Sequence, residues 1–187
     1  MTNSVFYNII KVCKIGILLL SLFFFVEGYI VGLTVVSGES MMNTIKDNDR
    51  ILVNKISYLF EKPSRGDVVI FNPPIEGREH EFFIKRIIGV AGDFFEIKDN
   101  LLYINGRPVA ENYININKSD KKDFKLLEGM VPEGYVYVLG DNRDNSNDSR
   151  VFGFVPMENL RGKAITKVWP IGGIESLAVH YEDNASK

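Results

Sequence analysis

From Val5 to Val26 the chain reads VFYNIIKVCKIGILLLSLFFFV, apolar almost throughout, and the run stops at Glu27. Roughly 20 apolar residues span a bilayer as a helix, and the uninterrupted part from Ile15 to Val26 is shorter than that. If Lys11 and Lys14 extend their stems toward one headgroup layer, the whole stretch suffices. Those lysines flank the N-terminal side and few positive charges directly follow the run, which places the N-terminus in the cytoplasm. A cleaved signal peptide would show the same basic start and apolar core. No convincing small-residue cleavage site follows Val26, however, and Gly28 to Val36 continues apolar and β-branched. A soluble core helix is rarely apolar on every face. The pattern predicts a cytoplasmic N-terminus and membrane anchor over residues 1–27, and an extracytoplasmic domain over 28–187.

Beyond the anchor the pattern shortens to strand length. Tyr29–Val36, Arg50–Lys55, Val68–Phe71, Phe82–Val90, Phe94–Ile97, Leu101–Ile104, Arg107–Ala110, Tyr135–Leu139, Phe152–Val155 and Gly162–Trp169 are rich in β-branched and aromatic residues. Turn signals separate them: Arg65–Asp67, Pro73-Pro74, Gly92-Asp93, and Asn105-Gly106, which marks a hairpin. Tyr58–Lys62 reads as a loop or short turn ended by Pro63. Residues 111–128 turn polar and lysine-rich and read as an exposed insertion, and the tail after Tyr181 as mobile. Many short strands with few helical patterns predict a mainly β, antiparallel domain behind one transmembrane helix.

Composition narrows the function class. The 187 residues are 45% hydrophobic, enough for one sizeable core, and a net charge of −2 lacks the basic excess of a nucleic-acid surface. Cys13 is single and lies in the apolar run, so it makes no intrachain disulfide. His80 and His180 sit in polar surroundings without a ligand at metal-binding spacing, and both read as surface residues.

Chemistry is concentrated in three places. Ser37–Ile45 (SGESMMNTI) begins where the apolar stretch ends, but a serine hydroxyl is a poor nucleophile without a base. Burial lowers a lysine's pKa, and Lys85 is the best candidate: alternation puts Phe83, Lys85 and Ile87 on one face of a strand. The alternative is an edge-strand lysine reaching water. The polar stretch Gly140–Arg150 could be a solvated structural loop or a calcium loop. Reading an EF-hand from Asp144 fails, because Ser149 stands at the glycine position and Val155 at the closing glutamate. Asp148 and Arg150 could pair to hold the loop, and Ser146 could hydrogen-bond a nearby lysine.

Taken in order, the anchor, SGESMMNTI, RGDVVIF, KRIIGVAGD and GDNRDNSNDSR resemble the bacterial type I signal peptidases, membrane-anchored Ser/Lys proteases. The resemblance implies Ser40 as nucleophile, Lys85 as general base and Ser146 as the hydroxyl that orients the lysine. Asp141, Asp148 and Arg150 would support the site, Met41 would bind substrate, and the Ser40 N–H would help hold the oxyanion. It implies no metal or cofactor. Its expected partners are preprotein signal peptides, bound as an extended strand with small residues in shallow pockets, and membrane lipid. The protein export machinery is a further candidate partner, and no oligomeric state is implied. Two positions depart from the family: Asn43 replaces the usual proline, and Gly38 stands where some members carry a hydroxyl two residues before the nucleophile. The Gly-acidic-Ser-Met order is similar to Gram-positive members. A tethered β module that binds without cutting, and a Ser/Lys protein acting on itself or one dedicated substrate, are the rival readings.

Overall fold

A computed structural model describes residues 2–99, 101–114, 127–170, 176–179 and 181. Helix α1 (Thr2–Phe25) runs into a π-helical turn (Val26–Ile30) and then directly into strand β1 (Val31–Val35). The stretch Phe6–Ile30 is long and apolar enough to cross a membrane, and residues such as Leu18, Phe23 and Phe25 are exposed for more than half of their surface. The helical path persists to Ile30, two residues into the predicted first strand. Its terminal carbonyls are satisfied there: the Val31 N–H donates to the Val26 carbonyl, and Lys55 Nζ donates to the Glu27 and Gly28 carbonyls at 3.0 Å each.

The remaining elements are β2 (Arg50–Asn54), α2 (Ser57–Phe60), β3 (Val68–Phe71), β4 (Phe83–Val90), β5 (Phe94–Lys98), β6 (Leu101–Ile104), β7 (Arg107–Pro108), β8 (Leu127–Met130), β9 (Tyr135–Leu139), α3 (Ser149–Phe152), β10 (Val155–Pro156) and β11 (Leu160–Trp169). They form two sheets, ordered β1-β2-β11-β3-β4-β9-β10 and β7-β6-β5-β8. All strand pairs are antiparallel, as the sequence predicts. Register shifts within β11 and between Ile87 and Gly89 of β4 bend the larger sheet. One core cluster includes Val36, Met41, Ile45, Ile51, Val53 and Val68. It lies directly behind the serine-bearing turn.

The loop or short turn expected at 58–62 is a single helical turn, α2, over Ser57–Phe60. Three other local expectations change. Phe152 ends a second helical turn, α3, in place of starting a strand: Asp148 caps it by accepting from the Arg150 N–H, and Gly153 leaves it at φ 80°. The predicted return strand shortens to Arg107–Pro108 paired with β6, extended by one bond from the Val109 N–H to the Leu102 carbonyl. In residues 111–128, Leu127 and Glu128 belong to β8, paired with Ile97 and Glu96, and Glu111, Tyr113 and Ile114 are half-buried rather than exposed. Residues 115–126 and the tail beyond Tyr181 lie outside the described residues.

Candidate active site

After β1 the chain must turn sharply, and hydrogen bonds and apolar burial shape that turn together. The Val36 N–H donates to the Asp49 carbonyl at 2.9 Å, and the Gly38 N–H to Asp47 Oδ1 at 2.8 Å, with Gly38 at φ 98°. Gly38 is therefore glycine for its left-handed backbone conformation. Met42 N–H donates to the Glu39 carbonyl, and the Thr44 and Ile45 N–H groups both donate to the Met41 carbonyl. Met41 and Ile45 enter the core at 1% and 0% exposure. Ser40 is left at the rim, half-buried. Met41 meets the site from inside: its sulfur accepts from the Asp141 N–H at 3.5 Å. Its side chain packs under the turn.

Lys85 lies on β4, between β3 and β9, so it is not an edge-strand lysine. It is 4% exposed. Its Nζ lies 2.7 Å from Ser40 Oγ and 2.9 Å from the Ile84 carbonyl, and 5.2 Å from the centroid of the Phe83 ring. Burial pushes its pKa down to about 8, against the pull of the Asp148 and Asp141 carboxylates in the other direction.

The loop after β9 brings the polar residues to the same place. An added Cβ on Gly140 would lie 2.3 Å from Ser146 Oγ and 2.5 Å from the Ser40 carbonyl oxygen, so the two segments meet at a position with no room for a side chain. The Asn142 N–H donates to that Ser40 carbonyl at 3.0 Å. Asn43 donates through Nδ2 to the Asp141 carbonyl at 3.2 Å, a side-chain tether that supports the turn.

Asp141 accepts from Arg86 Nε at 2.9 Å and Nη2 at 2.7 Å, and from Thr44 Oγ1 at 2.5 Å. Arg86 is fully buried; its Nη1 donates to the Gly66 and Leu177 carbonyls. Asp148 accepts from Arg150 Nε and Nη2 at 2.8 Å each and from the Gly140 N–H at 3.0 Å. Burial alone would raise the Asp148 carboxyl, but Arg150 and these hydrogen bonds outweigh it and hold the pKa below the usual value. Ser146 Oγ is buried without a hydrogen-bond partner among the described residues, and it is not bonded to Lys85. His80 is exposed and His180 lies outside the described residues.

The structure adds residues that sequence reasoning missed. Arg86 carried a signal, a charge inside an apolar run of β4, which points to a buried partner. Thr44, Glu111, Tyr113, Arg143 and Tyr181 carried none, because the contact that ties each to the site crosses a long stretch of chain: Thr44 to Asp141, Glu111 to Arg143, Tyr113 to Arg86, and Tyr181 to Tyr113.

The family model for signal peptidase, peptidase S26, matches residues 9–169. The chain belongs to this family. It is 39% identical over 147 residues to a signal peptidase I of Leptolyngbya laminosa, covering 76% of this chain and 70% of that one. It is 38% identical over 140 residues to a probable signal peptidase I-1 of Synechocystis, covering 72% and 69%. A signal peptidase IB of Staphylococcus aureus is 35% identical over 161 residues, covering 79% and 82%. The chain is thus a membrane protease of the signal peptidase I family, and the one helix among the described residues that is long and apolar enough to cross a membrane suits it to membrane anchoring.

Proposed function

We propose that this signal peptidase I family protein removes N-terminal signal peptides from exported preproteins, with Ser40 as nucleophile and Lys85 as general base. One observation carries the reading: Lys85 Nζ is buried and 2.7 Å from Ser40 Oγ, within reach for direct proton transfer. With a pKa near 8, about a tenth of Lys85 is neutral at pH 7, against a vanishing fraction for an exposed lysine.

Neutral Lys85 takes the Ser40 proton as Oγ bonds to the scissile carbonyl carbon. The carbonyl electron pair moves onto oxygen, which the Ser40 N–H stabilises. Collapse of this intermediate breaks the C–N bond, and Lys85 returns its proton to the leaving amine. A water then attacks the ester, Lys85 accepting its proton and passing it back to Ser40 Oγ. During these transfers the Ser146 hydroxyl, unbonded in the resting protein, turns onto Lys85 Nζ and orients it, while the Arg86–Asp141 and Arg150–Asp148 pairs hold the surrounding loop. The cycle uses no metal or cofactor.

Substrate enters as an extended strand. β1 pairs on one side only, with β2, so its other edge can accept a peptide backbone. Ile70 and Ile84, partly buried against the core beneath the turn, supply a shallow apolar surface for small side chains. With Lys11 and Lys14 on the cytoplasmic side, residues 28–187 face the outside, where the export machinery delivers its products.

The test is cleavage of a signal-bearing preprotein by detergent-solubilised protein. Wild type should release the mature chain with a new N-terminus at the signal-peptide boundary. Ser40→Ala and Lys85→Arg should both be inactive, since arginine remains charged. Cleavage by either variant at near wild-type rate would overturn the assignment.

A further inference from the structure

Glu111 and Tyr113 lie far in sequence from the reacting groups, at the start of the polar stretch after β7. They nevertheless reach the loop that carries Asp141, Ser146 and Asp148. Glu111 Oε1 pairs with Arg143 Nη2 and accepts from the Tyr113 hydroxyl at 2.6 Å, while Oε2 accepts from Arg143 Nη1 at 3.1 Å. The Glu111 side chain is 5% exposed and that of Arg143 14%. Arg143 points its remaining Nε–H at the Gly140 carbonyl, 3.1 Å away, and its own carbonyl accepts from Arg150 Nη2 at 2.8 Å.

Tyr113 also touches the other buried ion pair. The Arg86 guanidinium lies 4.2 Å from the centroid of the Tyr113 ring, a cation–π distance. The Tyr113 hydroxyl lies 2.6 Å from that of Tyr181. One short segment therefore supports both Arg86, which holds Asp141, and Arg143, which holds Gly140.

Gly140 is the position at which a small displacement matters most. Its N–H donates to Asp148, its Cα faces the Ser40 carbonyl and Ser146 Oγ with no room for a methyl group, and its carbonyl is the one that Arg143 holds. A carboxylate that fixes Arg143 thus fixes the peptide group against which Ser40 and Ser146 pack. A bidentate guanidinium–carboxylate pair suits this because it sets orientation as well as distance.

We infer that Glu111 is a positioning residue of the reaction: through Arg143 and the Gly140 carbonyl it sets the placement of Ser146 and Ser40 relative to Lys85. The inference rests on the Ser40/Lys85 reading. It makes the segment after β7 a part of the active site and not only a surface elaboration. Loosening it admits water beside Lys85, whose charged neighbours on the packed elements are Asp141 and Asp148.

The test compares full-length protein in detergent with the double variant Glu111→Leu/Arg143→Met, which removes the pair without leaving a buried charge unpartnered. With a short signal-sequence peptide, kcat should fall about tenfold or more, because a displacement approaching 1 Å costs about a hundredfold, while KM stays within about twofold. The acid limb of the pH–rate profile should move to higher pH. A general loss of stability moves neither the limb nor the kcat of the folded fraction. Wild-type kcat with an unmoved limb overturns the inference. If the double variant does not fold, Glu111→Gln and Glu111→Asp decide: Gln should lower kcat and shift the limb, Asp should restore part of both, and equal wild-type behaviour by both variants overturns it. Ser40→Ala is run alongside. Residual cleavage there refutes the Ser/Lys assignment, independently of what Glu111 does.

Discussion

Replacing Lys85 by methionine should abolish cleavage and, at neutral pH, stabilise the fold. Methionine matches the length of the lysine stem and fills the same apolar surroundings. Lys85 falls from an ordinary 10.5 to about 8 because burial disfavours its charge, a gap worth roughly 3 kcal/mol. The variant also loses the hydrogen bonds to Ser40 Oγ and the Ile84 carbonyl, roughly 1 kcal/mol each. The net gain at pH 7 is about 1 kcal/mol, or about 2–4 °C in Tm for a chain of this length. Below about pH 8 the folded and unfolded chains both hold the lysine proton, so the folded wild type bears the full cost of burying charge. Between about 8 and 10.5 the unfolded chain holds the proton more, and wild-type stability rises with pH relative to the variant. Above 10.5 neither state holds it, and wild type becomes the more stable of the two. Thermal unfolding of both proteins in the same detergent from pH 6 to 11 checks this. A variant less stable than wild type at pH 7, with a difference independent of pH, would refute the claim that Lys85 is held against its charge.

Other perturbations test the remaining contacts. Activity on a short peptide should rise tenfold per pH unit below about pH 8 and level off above it; a flat profile with chemistry rate-limiting contradicts Lys85 as base. Gly140→Ala places a methyl carbon 2.3 Å from Ser146 Oγ and 2.5 Å from the Ser40 carbonyl, so kcat/KM should drop about a hundredfold with a destabilisation of about 1–3 kcal/mol. Near wild-type kcat/KM would mean that the loop gives way easily. Asp141→Asn strips the fully buried Arg86 of its counter-charge, and denaturant unfolding should register a loss of about 3–5 kcal/mol. Asn43→Ala removes the tether to the Asp141 carbonyl and should cost about 1 kcal/mol, measured in the same way; an unchanged midpoint would show that the turn stands without it.

Local pattern was enough for elements whose identity is set by short-range chemistry. The apolar run reads as a helix, since in lipid every backbone group must be satisfied internally, and period-2 runs bounded by Gly, Pro and Asn turns gave most strands. It failed where a local cap competed with strand propensity. Phe152 looks strand-like, yet Asp148 caps a helical turn through it. It failed again where a partner lay far along the chain, as for β8, which follows a polar, lysine-rich stretch and becomes a strand only against β5.

For the site, sequence by itself determined which residue types were available: a serine just past the first strand after the anchor, a lysine in an apolar strand, a loop rich in short polar side chains. Only the tertiary structure decided that Lys85 sits on a central strand, 45 residues from the serine that it touches. Burial is a property of what packs on both sides of a strand, and an alternating pattern does not say whether a neighbour is present. The same holds for Glu111. A carboxylate in a polar stretch looks like solvated surface until the fold sets a guanidinium against it.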